Sequence, residues 1–211
     1  MSGENPPERR RYNSTRRSKQ AASTRQDVID AAIACFGESG FGGTTLHAVA
    51  DRAGVAVETV YAAFKNKKRL VRDAFEAAVV GDAEPVPLAD RPEYAAMGRG
   101  TVAERLTAGL RLTAEIHRRS APVWLALAEA ASADAEVAAW MAELEAGRRR
   151  EVDRATAMVF GRALPTHAAE MAFVLLGREV FVRLTRDLGW DLDLYASELA
   201  GLVTHLAADG R

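Results

Sequence analysis

Residues 44–70, TTLHAVADRAGVAVETVYAAFKNKKRL, decide how the rest of this 211-residue chain is read. Thr44 and Thr45 can cap a helix, their hydroxyls accepting from the first free backbone N–H groups. Leu46, Val49, Ala50 and Ala53 then recur at three- and four-residue spacing, which is one buried helical face. Gly54 stands where a left-handed residue would end that helix and turn the chain sharply. Val55 can plug the corner. Val57 to Phe64 adds two turns, with Val60 and Phe64 (i, i+4) facing inward and Glu58, Thr59, Ala62 and Ala63 facing outward. Asn66 is a good cap for a third helix. This is the layout of a helix-turn-helix, whose second helix enters the DNA major groove.

The residues flanking Asn66 break a rule. Lys65, Lys67, Lys68, Arg69 and Arg72 crowd the start of a helix, with no acid among residues 64–72. Exposed cations there oppose the helix macrodipole at about 0.3–1 kcal/mol each. A solvated charged face would explain any one of them. For the cluster beside a helix-turn-helix the preferred expectation is a phosphate docked at that N-terminus, which satisfies both dipole and cations.

Gly54, Val55, Thr59, Tyr61, Phe64, Asn66 and Lys67, at this spacing, closely resemble the DNA-binding domain of the tetracycline-repressor (TetR/AcrR) family. The resemblance extends back through Thr44 and Thr45 to a helix ending in Phe36, Gly40 and Phe41, and covers about residues 24–79. It implies a homodimer that places two recognition helices in successive major grooves of a palindrome, half-sites about one DNA turn apart. It further implies that Thr45, Tyr61 and Lys67 bind phosphates. Base reading would fall to Glu58, Thr59, Ala62 and Ala63: Glu58 can accept from cytosine N4, and the alanine methyls can touch thymine methyls. Thr44, Val57 and Lys65 complete the expected DNA-facing set, with His47 a phosphate or base-edge candidate on the preceding helix. The chain departs from the common family pattern at Val57, often a small polar cap, and at Ala62 and Ala63, often aromatic or His.

Charge is divided along the chain. Residues 1–78 carry 13 Lys+Arg against 9 Asp+Glu, and residues 79–211 carry 15 against 20. A basic part joined to an acidic one suits one DNA-facing domain and one that avoids DNA. The single cysteine, Cys35, lies among Val28, Ile33 and Phe36 on an expected buried face and fits a reducing compartment. The longest apolar run, near Met171 to Gly177, is far too short to span a bilayer, and no signal-peptide core succeeds the basic residues 9–19. A cytoplasmic protein with no membrane partner is expected.

The composition, rich in Ala, Leu, Arg and Glu with seven Pro, predicts an all-α fold. Residues 1–22 read as a disordered basic arm, alternatively a flexible arm along DNA. Residues 23–79 read as the helix-turn-helix domain, its first helix opened by a Ser23–Gln26 capping box and closed at Gly40. The helix after Asn66 carries Leu70, Val71, Ala74, Phe75, Ala78 and Val79, more apolar surface than a three-helix domain needs. Residues 80–211 read as an all-helical ligand-binding and dimerisation domain, giving about nine helices in all, the family's count. Within it, residues 81–100 look irregular. A helix from about Thr101 to Arg119 buries Val102, Leu106, Leu110 and Ile116, and Pro122 opens a short separate one. Ser132 or Asp134 caps a long helix ending near Gly161; Thr166 caps another to about Leu188. Asp191 caps the last, with Leu192, Tyr195, Leu199, Leu202, Val203 and Leu206 inward. Ala168 to Leu176 is apolar nearly all round, so it is buried on more than one side. By resemblance, the last two helices form the homodimer interface.

No metal set, cofactor motif or catalytic constellation is visible. His47, His117, His167 and His205 have no helical His partner, and His167 with Glu170 is half of what a di-metal bundle requires. There is no G-x-S-x-G, P-loop or G-x-G-x-x-G. An all-helical enzyme or binding domain fused to a DNA reader is the alternative. The resemblance implies a small-molecule cavity between the middle helices, releasing DNA when an unknown effector binds. His117, Trp124, Trp140 and Phe173 are its candidate lining, against plain core packing.

Overall fold

The computed structural model describes residues 8–81, 90 and 92–208, and every regular element among them is helical. In chain order these are α1 (Glu8–Gly43), α2 (Leu46–Ala53), α3 (Val57–Phe64), α4 (Lys67–Val80), α5 (Pro92–Ala96), α6 (Val102–Ala131), α7 (Ala135–Phe160), α8 (Thr166–Leu175), α9 (Arg178–Val182) and α10 (Leu192–Ala208). A π-helical turn, Arg183–Asp187, continues α9. Counting α8 and α9 as one broken helix, this is the nine-helix fold expected.

The local signals of the helix-turn-helix hold. Thr45 caps α2 by accepting from the Ala48 N–H at 3.0 Å, and Asn66 caps α4 by accepting from Arg69 at 2.9 Å. Gly54 ends α2 at φ 67°, ψ 31°, a conformation in which a Cβ would be strained. Val28, Ile29, Phe36, Val49, Val60, Phe64, Leu70 and Val71 bury together. Cys35 lies in this core, as its neighbours suggested.

Four boundaries differ from expectation. First, α1 does not open at Ser23; its helical backbone reaches back to Glu8, so Ser23 and Gln26 lie inside a helix and form no capping box. Residues 8–22 of the expected arm are therefore helical, its Arg, Gln, Lys and Ala being good helix formers once the packed part of α1 supplies the nucleus. Residues 1–7 of that arm lie outside the described residues, as do 82–89 and 91 of the connection. Second, that connection holds a short helix, α5, which buries Tyr94 and is succeeded by the buried Met97.

Third, Pro122 does not begin a helix; it sits within the 30-residue α6. The break is avoided because Pro122 lies at the crossing with α1, where a Cβ on Gly37 would come within 3.1 Å of Pro122 Cβ. Close packing outweighs one missing rung of the backbone ladder. Thr101 opens α6 through a reciprocal capping box with Glu104, and Val102 is exposed rather than buried. Fourth, the helix from Thr166 stops at Leu175 and restarts at Arg178, because Gly177 is extended (φ −79°, ψ 153°). Asp134 and Gly161 bound α7 as expected.

The core does not respect the boundary near residue 79. Phe75 of α4 packs on Trp124 of α6 and Trp140 of α7, with ring centroids 5.6 and 6.2 Å apart. Val123, Leu127 and Val137 belong to the same buried cluster as the helix-turn-helix. The surplus apolar face of α4 thus joins the two halves. A second cluster binds α6, α7, α9 and α10 around Leu110, Val159, Phe181, Tyr195, Leu199 and Val203.

Candidate functional site

Two surfaces matter: the outer face of α3, and a cavity that α4 helps to wall. On α3, Glu58, Thr59, Tyr61, Ala62 and Ala63 are exposed, while Val60 and Phe64 anchor the helix from behind. Glu58, Thr59, Ala62 and Ala63 flank a groove whose other wall is Gln20, Ala21, Thr24 and Arg25 of α1. His47 and Thr45 are exposed on the preceding helix. Lys65, also exposed, closes α3 with φ 63°, the one left-handed non-glycine among the described residues. Its N–H donates to the Tyr61 carbonyl at 2.9 Å. This face carries a carboxylate, hydroxyls and methyl groups, and Lys65, Tyr61 and Thr45 are exposed beside it.

Three residues of the expected DNA-facing set are placed otherwise. Thr44 is buried; its hydroxyl lies 3.0 Å from the Cys35 carbonyl and 2.8 Å from that of Gly40, so it satisfies the end of α1. Val57 is half-buried against the core. Lys67 turns back into the protein, donating to the carbonyls of Phe41 (2.7 Å) and Thr44 (3.0 Å) with its ammonium 4.2 Å from the Phe41 ring. The cation offsets the negative end of α1.

The remaining cations at the start of α4 are engaged within the chain as well. Lys68 lies 2.5 Å from Asp134, the cap of α7, and 3.1 Å from Glu136. Arg69 pairs with the buried Asp73, which Arg25 also contacts, and Arg72 pairs with Glu76. Lys68 keeps its proton more firmly because of Asp134, and then Glu136, and Asp134 is held below the usual carboxylate range by Lys68. Of this cluster, Lys68 ties α4 to the start of α7, while Arg69 and Arg72 pair within α4.

A further link was not visible in the sequence. Glu129, near the end of α6, accepts from the N–H groups of Phe41 (2.8 Å) and Gly42 (2.9 Å). It clasps the turn that leads into α2. Gly40, at φ 67° and ψ −173°, makes room: a Cβ there would lie 2.5 Å from a Glu129 oxygen.

The cavity, about 500 Å³, is bounded by α4, α5, α6 and α7 and closed by Leu176 and Arg178. That volume lies within the range of small-molecule sites. Trp140 and His117, two of the four residues expected to line a small-molecule site, are on its wall. Trp124 and Phe173 are not. Trp124 packs on Phe75 and donates its indole N–H to Glu179 at 2.8 Å, while Phe173 lies outside under the guanidinium of Arg148, 3.8 Å from its centroid. Aromatic character alone could not separate core and surface rings from cavity rings.

His117 is buried with no partner for Nδ1. Burial, and then the nearby charges of Arg178 and Arg148, push its pKa down to about 3, so the ring is neutral at physiological pH. Arg178 is buried too, its proton affinity lowered to about 10 chiefly by desolvation. It contacts Glu145 at 3.1 Å and lies over Phe75 and Trp124. Tyr94 bonds Glu151 at the other side of the cavity. Nothing in the pattern around residue 178 distinguishes a buried arginine from a surface one, although an Arg directly after a helix-breaking Gly in an apolar run was the available hint.

Among the described residues no group of three or more His, Cys, Asp or Glu could hold a metal, and no helix is long and apolar enough to cross a membrane. Residues 28–74 match the family described as bacterial regulatory proteins, tetR family. No curated protein sequence matches the chain. Among solved structures, a TetR-like transcriptional regulator from Rhodococcus sp. RHA1 is 20% identical over 90% of this chain and 98% of its own, with a TM-score of 0.64. The transcriptional regulator FadR from Bacillus subtilis, in complex with stearoyl-CoA, is 21% identical over 84% and 96%, with a TM-score of 0.65. The fatty acid degradation regulator FadR from Bacillus halodurans is 23% identical over 84% and 92%, with a TM-score of 0.64. At these identities the structural likeness is one of fold. Over residues 28–74 the chain thus carries a helix-turn-helix domain that matches the tetR family of bacterial regulatory proteins.

Proposed function

We propose that this protein is a cytoplasmic, homodimeric transcriptional repressor that binds a palindromic operator and is released by a small molecule. The observation that carries this reading is the double duty of α4. Its N-terminal end abuts the recognition helix through Asn66, while Arg72, Phe75, Glu76 and Val79 form one wall of the cavity. A ligand that moves this wall shifts the helix-turn-helix with it. Moving the population from 1:99 to 99:1 takes about 5.5 kcal/mol of differential binding.

The homodimer is supported by the apolar surface that one chain leaves open on its last helices. Met171 and Val174 of α8 are 47% and 55% exposed, and Leu202 of α10 is 48% exposed. Leu202 was expected inward, and Ala168 to Leu176 was expected to be buried on more than one side; within one chain only Ala168 and Ala172 of that segment's side chains are. A second copy packed on the same face satisfies both. The stearoyl-CoA in complex with the Bacillus subtilis regulator is a precedent for a bound small molecule in this fold.

Selection from random duplexes at moderate salt, with the oligomeric state measured in parallel, tests the reading. A dimer that enriches an inverted repeat is expected. A monomer with no sequence preference overturns it.

A further inference from the structure

We infer that the cavity is built for an organic monoanion, a carboxylic acid on an apolar body, with its carboxylate seated between Arg178 and His117. The inference rests on reading the C-terminal half as an effector domain, and deepens it by naming the effector's chemistry.

Most of the wall is apolar, with Phe75, Ile116, Trp140, Leu144, Val152 and Leu176 offering room for a hydrocarbon or aromatic body. At one end two guanidinium groups lie close together. Arg148 takes Glu145 through Nε (3.1 Å) and Nη2 (2.9 Å), and also donates to the carbonyls of Phe173 and Leu176. Arg178 reaches the same carboxylate through Nη1 alone, at 3.1 Å. Two guanidinium groups thus share Glu145. Glu179 adds a more distant negative charge, but it is exposed and occupied by the Trp124 indole.

The side chain of Arg178 is only 8% exposed, yet its Nε is without a partner. Nδ1 of His117 is likewise unpartnered and buried, and both residues line the cavity. One turn along α6, the buried hydroxyl of Ser120 has no partner either. A buried donor left unmade is costly, and a buried cation more so. A carboxylate at the end of the cavity lined by Arg178 and His117 offsets the buried cation, and the neutral His117 adds no competing charge. The flat face of Arg178 is already occupied by Phe75 and Trp124, which fixes the group for the purpose.

Acids also touch the cavity, but elsewhere and already satisfied. Glu76 pairs with Arg72, Glu151 accepts from Tyr94, and Glu143 is exposed. They disfavour an anion left near the rim, so a ligand enters with its carboxylate inward. A cationic head is repelled by Arg148 and Arg178 at the inner end.

Titration of the purified full-length chain with matched probes decides the matter, read by tryptophan fluorescence and calorimetry. The probes are decanoate, 1-decanol, decylamine and decanoyl-CoA, with 2-naphthoate and 2-naphthol as a rigid pair. Each carboxylate should bind about tenfold or more tightly than its neutral or cationic counterpart, the scale of a charge-assisted hydrogen bond. In Arg178→Met the carboxylate advantage should vanish while alcohol affinity is retained. His117→Phe should reduce the advantage in the same direction, and serves if the arginine variant does not fold. Equal binding of acid and alcohol, preference for decylamine, decanoyl-CoA matching decanoate, or failure of both carboxylates to bind overturns the inference. Failure of the regulator reading is separate: it shows as absent duplex selection by the ligand-free protein, whatever the carboxylates do.

Discussion

Replacing Lys67 with methionine separates two roles that the sequence allows and the structure distinguishes. Methionine keeps an apolar stem over the Phe41 ring but removes both donors to the carbonyls of Phe41 and Thr44, at 2.7 and 3.0 Å. Charge-assisted hydrogen bonds contribute about 1.5–3 kcal/mol each. The site is only part-buried, so water recovers some of the loss. The net destabilisation should be about 2–3 kcal/mol, nearer one such bond than two. For a chain of this length each kcal/mol lowers Tm by about 2–4 °C, so Lys67→Met should melt about 4–12 °C below the parent. In a salt titration of operator binding, the slope of log K against log salt should stay the same, because no phosphate contact has been removed. The exposed Lys65, replaced with alanine, should do the reverse, with an unchanged Tm and a slope shallower by about one unit. If Lys67→Met melted within about 1 °C of the parent while its slope dropped by one, Lys67 would belong on the DNA and its role as a brace for the end of α1 would be wrong.

The same geometry sets other expectations. The depressed pKa of His117, about 3 against about 6.5 unfolded, means that below pH 6.5 the unfolded chain binds a proton the folded chain refuses. Stability contributed by the neutral ring is therefore full above pH 6.5 and lost as pH falls towards about 3, at up to about 1.4 kcal/mol per unit. His117→Phe should flatten the Tm profile between about pH 6.5 and 4.5; an unaltered slope would show that another group is responsible. Gly40→Ala forces a Cβ into a left-handed position and against Glu129, and should cost about 1–3 kcal/mol in denaturant unfolding. Asp134→Asn keeps an α7 cap but weakens the pair with Lys68, so ligand-induced release of DNA should change in midpoint while DNA affinity without ligand changes less. Val174→Arg should give a monomer by sedimentation and weaken operator binding with it, since Val174 is 55% exposed on the face assigned to a second copy.

Local chemistry is legible in the sequence where a single residue's geometry decides the outcome. Gly54 at a left-handed turn, Asn66 and Asp134 as caps, and the inward Val60 and Phe64 all behave as their types and spacing require. What depends on distant partners is not. Thr44 and Lys67 have the right chemistry for phosphate, but carbonyls at the end of α1 claim them first. Pro122 has the right chemistry to open a helix, yet packing against Gly37 holds α6 through it. Trp124 and Trp140 are alike in sequence, and only the tertiary arrangement puts one in the core and the other on the cavity. His117 is recognisable because a polar group stands on an apolar face. Arg178 is not, since periodicity cannot say which arginine lacks water.

Helix α6 spans both surfaces. Its 30 residues make a rod about 45 Å long. His117 meets the cavity near its middle, and Glu129 holds the amides of Phe41 and Gly42 near its far end. The twelve-residue step from one to the other amounts to a lever arm of about 18 Å. A tilt of about 5° at the cavity would displace the Glu129 clasp by about 1.5 Å. Pro122 sits within that arm, where one backbone donor is missing, and gives it a compliant joint beside the α1 crossing. A ligand bound in the cavity would therefore have a mechanical route to the helix-turn-helix that bypasses α4.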